Sequence, residues 1–270
     1  MSVTLASINS GSNGNCYYIG NKEEAVLIDA GISCREIEKR IKKLGLSLAS
    51  IKAVVISHEH NDHILGLETL AKKYSLPVFI TSKTLKNIRG KSAFIAHSFS
   101  HEQPIKVGNI LITPFLKQHD AADPHSFVVR CNNLNVGVFT DIGYSCSSLI
   151  KYFGQCHVAF LEANYDEKML LDGRYPHHLK QRIHGNNGHL SNNQALELFL
   201  HHRSEKLTHL ILSHLSQENN SPDIVEQLFN KHPTPTQILI ASRTEASAFL
   251  HFPDSNSQYQ KKVVQAKLFE

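Results

Sequence analysis

One short segment constrains this chain more than any other: Ser57-His58-Glu59-His60-Asn61-Asp62-His63. It follows Ala53-Val54-Val55-Ile56, an unbroken apolar run that reads as a strand buried on both faces. Alternate residues of an extended chain share a face, so His58 and His60 project to one side where the strand ends. Asp62 and His63 fall in the turn or first helical turn beyond it, where the chain changes direction and can serve a second ion nearby. Histidine is abundant here, 18 of 270 residues. Even at that frequency a His-x-His-x-Asp-His run arises by chance in only about one chain in 400. The spacing therefore points to a metal centre at the C-terminal end of a strand.

The rest of the chain reads as further strands separated by helices. Val3–Ile8, Cys16–Ile19, Ala25–Ile28, Val78–Ile80, Ile110–Phe115, Ser126–Arg130, Val136–Thr140, His157–Leu161, Leu207–Leu212 and Ile238–Ala241 carry β-type apolar runs. The last of these closes the sheet pattern. Ser33 caps a helix bearing Ile37, Ile41 and Leu44 on one face, with Gly45 just past its end. Ser191-Asn192-Asn193-Gln194 has the form of a capping box, and Ser221-Pro222 opens a helix with Pro at its first position. With no repeat or long linker, the pattern predicts one α/β layered sandwich over residues 1–270, with a polar peripheral tail at 254–270.

Composition excludes several classes. No apolar run approaches the roughly 18 residues needed to cross a bilayer, so no membrane partner is expected. The first residues lack a basic segment of the secretory type. The five cysteines include no C-x-x-C pair, which argues against a thiolate zinc site and fits a reducing, cytoplasmic compartment. A net charge of +4 permits an anionic substrate without demanding one.

Three more segments place a ligand type just beyond an apolar run: Gln118-His119-Asp120, Thr140-Asp141-Ile142-Gly143 and Ser213-His214-Leu215. With Asp29 after its own strand, these motifs in this order resemble those of the metallo-β-lactamase-fold hydrolases. That resemblance covers nearly the whole chain and implies an αββα sandwich of two mixed β-sheets flanked by helices. It implies that His58, His60 and His119 hold one divalent ion and that Asp62, His63 and His214 hold a second, with Asp141 bridging. Asp29 orients the metal loop rather than binding an ion. The diiron oxygen-reducing relatives have Glu where this chain has His60, so hydrolysis is expected rather than redox chemistry.

Within that superfamily the segments Ser10–Asn15, His119–Pro124, Asp141-Ile142-Gly143, Leu161-Glu162-Ala163-Asn164, Tyr175–Ile183 and Gly188-His189-Leu190-Ser191-Asn192 resemble the YycJ/WalJ group of small bacterial metallo-hydrolases. The group implies metal-dependent DNA exonuclease activity with 5′→3′ polarity, RNA remaining open as a substrate. The stretch around His189 is also similar to the β-CASP ribonucleases, but there is no room between Asp141 and Glu162 for their inserted domain. Arg182–Asn187 departs from the group's pattern in having less Ser and acidic character. The implied chemistry is attack by a hydroxide bridging the two ions, with His189, held by Glu162, as general acid. Asp62 counts among the catalytic residues as well as the ligands. Lys180 and Arg182, with His178 beside them on an expected helix, are candidates for contact with backbone phosphates. An all N/O ligand set suits Mn, Zn or Fe, the resemblance favouring manganese for activity. Two other functions fit the same motifs: a small-molecule metallo-hydrolase for a thioester, lactone or cyclic phosphodiester, and a metal-stabilised nucleic-acid binding module. Protein partners are not legible.

Overall fold

The computed structural model describes residues 2–88 and 94–253. The tail expected at 254–270 lies outside them. Two seven-stranded sheets form the framework. The first comprises β1 (Val3–Asn9), β2 (Cys16–Gly20), β3 (Ala25–Ile28), β4 (Ile51–Val55), β5 (Val78–Phe79), β6 (Ala96–His97) and β14 (Ser247–Phe252), in the order β14-β1-β2-β3-β4-β5-β6. The second comprises β7 (Ile105–Val107), β8 (Ile110–Leu116), β9 (His125–Cys131), β10 (Leu134–Phe139), β11 (Val158–Glu162), β12 (His209–Ser213) and β13 (Gln237–Ile240), in sequential order from β13 to β7. The strands read from the sequence lie within two residues of these bounds.

Alternation along the strands builds three apolar layers. Val26, Ile28 and Val55 of the first sheet meet Phe127, Val138 and Phe160 of the second in a core between the sheets. The Tyr17 and Phe160 rings bridge it, their centroids 4.9 Å apart. On the outer face of the first sheet, Leu27 and Val54 pack under α1 (Cys34–Lys43) and α3 (Leu67–Tyr74), through Ile37, Ile41 and Leu70. On the outer face of the second, Phe139 and Leu161 pack under α5 (Ser147–Phe153), α8 (Asn192–His202) and α9 (Pro222–Asn230), through Phe153, Phe199 and Phe229. The result is the helix-sheet-sheet-helix sandwich that the motifs imply. Among the described residues no helix is long and apolar enough to cross a membrane.

The expected caps form. Ser33 Oγ accepts from Glu36 N at 3.3 Å. Ser191 and Gln194 exchange both bonds of the capping box. Three strands are absent from the sequence reading: the short β6 and β7, and β14, so that Ile238–Ala241 does not end the sheet pattern. The chain returns to the first sheet as β14, antiparallel to β1. Its alternation is short and its residues are mostly half-buried, so the pattern signal is weak, and pairing across the N-terminal strand supplies what periodicity does not.

The topology also sets where loops can converge. Strands β3 and β4 run parallel, as do β10, β11 and β12. Their C-terminal ends therefore open on one edge of the sandwich. Phe160→Ala, by emptying the middle of the core between the sheets, should cost about 3–5 kcal/mol of stability. Denaturant unfolding should show a lower midpoint with an unchanged slope.

Candidate metal centre

Each functional side chain sits at or just past a strand end: Asp29 after β3, Ser57 and His58 after β4, His119 after β8, Asp141 after β10, Glu162 at the end of β11 and His214 after β12. Asp29, Asp141 and His214 have left-handed backbones, with φ of 62°, 56° and 58°. Non-glycine residues rarely adopt that region, and Asp and His tolerate it better than most. The turn there swings the side chain from the sheet axis toward the edge. His60, Asp62 and His63 come from the start of α2 (Asn61–Ile64), for which His60 is the N-cap residue.

Three imidazole nitrogens converge at one point. His58 Nε2 lies 3.1 Å from His60 Nδ1, which lies 3.3 Å from His119 Nε2. A second group gathers Asp62, His63 and His214, Asp62 Oδ2 lying 3.6 Å from His63 Nε2 and 3.7 Å from His214 Nε2. Asp141 stands between them, Oδ1 3.7 Å from His119 Nε2 and Oδ2 3.0 Å from His63 Nε2.

In four of the five rings the Nδ1 atom is anchored, which fixes the tautomer. His63 Nδ1 donates to Asp29 Oδ2 at 2.7 Å. Ser57 relays the same carboxylate to its neighbour: His58 Nδ1 donates to Ser57 Oγ at 2.9 Å, and Ser57 Oγ donates to Asp29 at 2.8 Å. His119 Nδ1 donates to Gly188 O at 3.0 Å. His214 Nδ1 donates to Glu162 Oε1 at 2.8 Å. These four rings turn Nε2 to the centre, whereas His60 presents Nδ1.

Cations fit this centre. Among the described residues His214 Nε2 is buried without a hydrogen-bond partner, an unusual state for a polar atom unless a ligand completes it, and Asp141 Oδ2 has only the His63 imidazole within 3.5 Å. Charge shows the same demand. Burial disfavours a charged His63, yet Asp141 and Asp29 outweigh it and raise its pKa to about 10. Against the same opposition from burial, Asp141, Asp62 and Glu162 raise His214 well above its ordinary value. Burial and the neighbouring His63 hold His58 well below its usual range, and burial lowers His119 to about 4. In the metal-free protein, then, protons on His63 and His214 occupy the place of positive ions.

Glu162 approaches Asp141, His189 and His214 closely enough to serve as a ligand, but its lone pairs are already committed. Oε1 accepts from both His189 and His214 at 2.8 Å, and Oε2 accepts from the Ile142 and Leu190 amides at 2.7 and 3.1 Å. Glu162 therefore positions two histidines. Asp29 belongs to none of the convergent groups, and its carboxylate accepts from His63 and Ser57.

The candidate substrate contacts lie on α7 (His177–His184), a helix with no buried residue. Arg182 Nε pairs with Asp120 Oδ2, beside His119. Lys180 Nζ donates to Leu171 O at 2.6 Å, and His178 is exposed. One residue escaped the sequence reading. Lys117 is buried, its Nζ donating to Thr140 O at 2.7 Å and lying 3.9 Å from Asp141 Oδ2. Burial pushes its pKa down. Its only signal was a lysine continuing the apolar run of β8. The Ser10–Asn15 loop does reach the site, by side chains more than by backbone: Asn15 Nδ2 lies 3.2 Å from His63 Nε2, and Ser10 Oγ accepts from His214 N at 2.8 Å.

Facing sheets with histidines and carboxylates at their common edge define a hydrolase of the metallo-β-lactamase class. The family model described as a β-lactamase superfamily domain matches residues 24–214. The chain is 33% identical over 231 residues to the exodeoxyribonuclease YycJ of Bacillus anthracis, covering 83% of this chain and 86% of that protein. It is 30% identical over 222 residues to the exodeoxyribonuclease WalJ of Streptococcus pneumoniae serotype 2 strain D39, covering 80% and 82%. The crystal structure of the metallo-β-lactamase fold protein YhfI from Bacillus subtilis superposes with a TM-score of 0.69 at 16% identity, covering 92% of this chain and 99% of that one. The chain belongs to the β-lactamase superfamily and, within it, to the family of the YycJ and WalJ proteins.

Two outcomes follow for the metal-free protein. Loading it with Mn²⁺ or Zn²⁺ at neutral pH should release protons from both His63 and His214. Calorimetry in buffers of different ionisation enthalpy measures this, and apparent affinity should rise with pH. Asp29→Asn, which removes the negative charge and one of the two oxygens that accept from Ser57 and His63, should weaken metal binding about 10- to 100-fold while leaving the fold intact.

Proposed function

We propose that the chain is a metal-dependent exonuclease that removes nucleotides from a DNA strand 5′→3′, working in a reducing, cytoplasmic compartment. The observation that carries this reading is the single oxygen Glu162 Oε1, shared by His214 and by His189. It sets one imidazole as a ligand and holds another beside the same centre, with no hydrogen bond to its Nε2 among the described residues. The kinship with YycJ and WalJ, both named exodeoxyribonucleases, supports the substrate class. All five cysteines are unpaired, which supports the compartment.

The residues divide the work. His58, His60 and His119 would hold one divalent ion and Asp62, His63 and His214 the other, with Asp141 between; manganese or zinc suits these N/O donors. When bound, two such ions supply a nucleophile at neutral pH and neutralise the charge of a phosphodiester. The leaving 3′-alkoxide is a strong base and needs a proton. His189, one-fifth exposed, is open to the site on the side that Glu162 does not occupy. Glu162 burial opposes its ionisation, but His189 and His214 lower its pKa to about 2. Glu162 holds Nδ1 of His189 at 2.8 Å, so the ring would donate the proton through Nε2. Asp62 keeps His63 and His214 in register. Arg182 and Lys180 on α7, with His178, give a strand's phosphates positive charge without reading its sequence.

The test is release of mononucleotides from end-labelled duplex DNA by metal-stripped protein, with Mn²⁺ or Zn²⁺ added back separately. His189→Ala should retain its metals and lose roughly 100- to 10,000-fold in rate. Glu162→Gln should lose both rate and metal, because it loosens His214 as well. Metal loss from His189→Ala would make His189 a ligand instead, and rapid cleavage of thioesters with no action on any nucleic-acid end would overturn the reading.

A further inference from the structure

We infer that Tyr144 is the platform on which the terminal nucleobase of a bound strand stacks, an assignment that rests on the nuclease reading. Five large apolar side chains are exposed among the described residues: Leu65, Ile95, Leu116, Tyr144 and Leu171. Three of them lie within three residues of a proposed ligand, Leu65 after His63, Leu116 before His119 and Tyr144 after Asp141. Apolar surface is thus concentrated on the rim of a centre whose interior is polar. Tyr144 alone of the three has a flat face the size of a base.

Its surroundings leave that face free and its backbone fixed. Among the described residues its ring has no aromatic or cation partner and its hydroxyl has no hydrogen-bond partner. The segment holding it is pinned on both sides. Gly143 N donates to Gln118 O at 2.7 Å, next to His119, and Cys146 N donates to Tyr144 O at 2.9 Å. Gly143 packs so closely on the loop after α7 that a Cβ there would lie 1.9 Å from Asn186 O. Tyr144 therefore stands where the Asp141 loop meets the loop that runs from the basic helix α7 to His189. The proposal seats the end base of the strand at this junction, with the scissile phosphate at the metal ligands.

Stacking suits the task. Every base has a π-face, so an aromatic platform accepts each terminal nucleotide in turn without selecting a sequence. Tyrosine has few rotatable bonds to order on binding, and its position on a fixed turn holds it ready. By holding the base, Tyr144 positions the phosphate and takes no part in proton transfer.

The experiment compares strand ends and variants. Tyr144→Ala should raise KM for DNA roughly tenfold or more, with kcat nearly unchanged. Tyr144→Phe and Tyr144→Trp should restore it, and metal content should be the same in all three. An abasic residue in place of the terminal nucleotide should cost the wild type a similar factor and Tyr144→Ala nothing further. Equal KM values for wild type and Tyr144→Ala, failure of Phe to rescue, or indifference of the wild type to the abasic end would each overturn the assignment while leaving the nuclease reading in place. If the wild type cuts no strand at all, the nuclease reading falls and this assignment falls with it.

Discussion

Asp29 and Glu162 are buried carboxylates that determine which nitrogen His58, His63, His189 and His214 present. Asp29 takes the Nδ1 proton of His63 directly and that of His58 through Ser57. Glu162 takes those of His214 and His189. A buried carboxylate without such donors would be costly, and so would a buried imidazole without an acceptor. Each therefore stabilises the other, and the free Nε2 atoms are directed to one side as a result. The two sheets contribute one carboxylate each, so closing the sandwich also assembles the centre.

The same interdependence explains the strained backbone. Asp29, Asp141 and His214 accept left-handed conformations at three strand ends, where a residue continuing the strand would point along the sheet. Strain of this kind persists where the surroundings over-determine it. Here the apolar layers on both faces of each sheet hold the strands, and the loops bend to reach a common point. Lys117 adds a buried positive charge beside Asp141, partly balancing the carboxylates in the metal-free protein.

Much of this was legible because it was local. His58, His60, Asp62 and His63 occupy one turn, and their spacing shows two directions of projection without knowledge of the fold. His119, Asp141 and His214 were legible as ligand types beyond apolar runs, but only the resemblance to a family grouped them. The links that span the chain left no local trace. Asp120 and Arg182 pair across 62 positions, and Ser10 reaches the His214 amide across 204. Lys117 follows the apolar run of β8, where a lysine is ordinarily solvated, yet the fold buries it. Strand β14 was missed because its stability comes from its partner β1 rather than from its own pattern.

The central claim is that two clusters joined by Asp141 hold two divalent ions. Metal content per chain, measured by plasma mass spectrometry on protein loaded with Mn²⁺ or Zn²⁺ and then freed of excess ion, tests it most directly. The account predicts two ions in the wild type, with Asp141→Ala retaining fewer and His63→Ala losing the ion of its own cluster first. A single ion in the wild type, or two ions retained by Asp141→Ala, would contradict it.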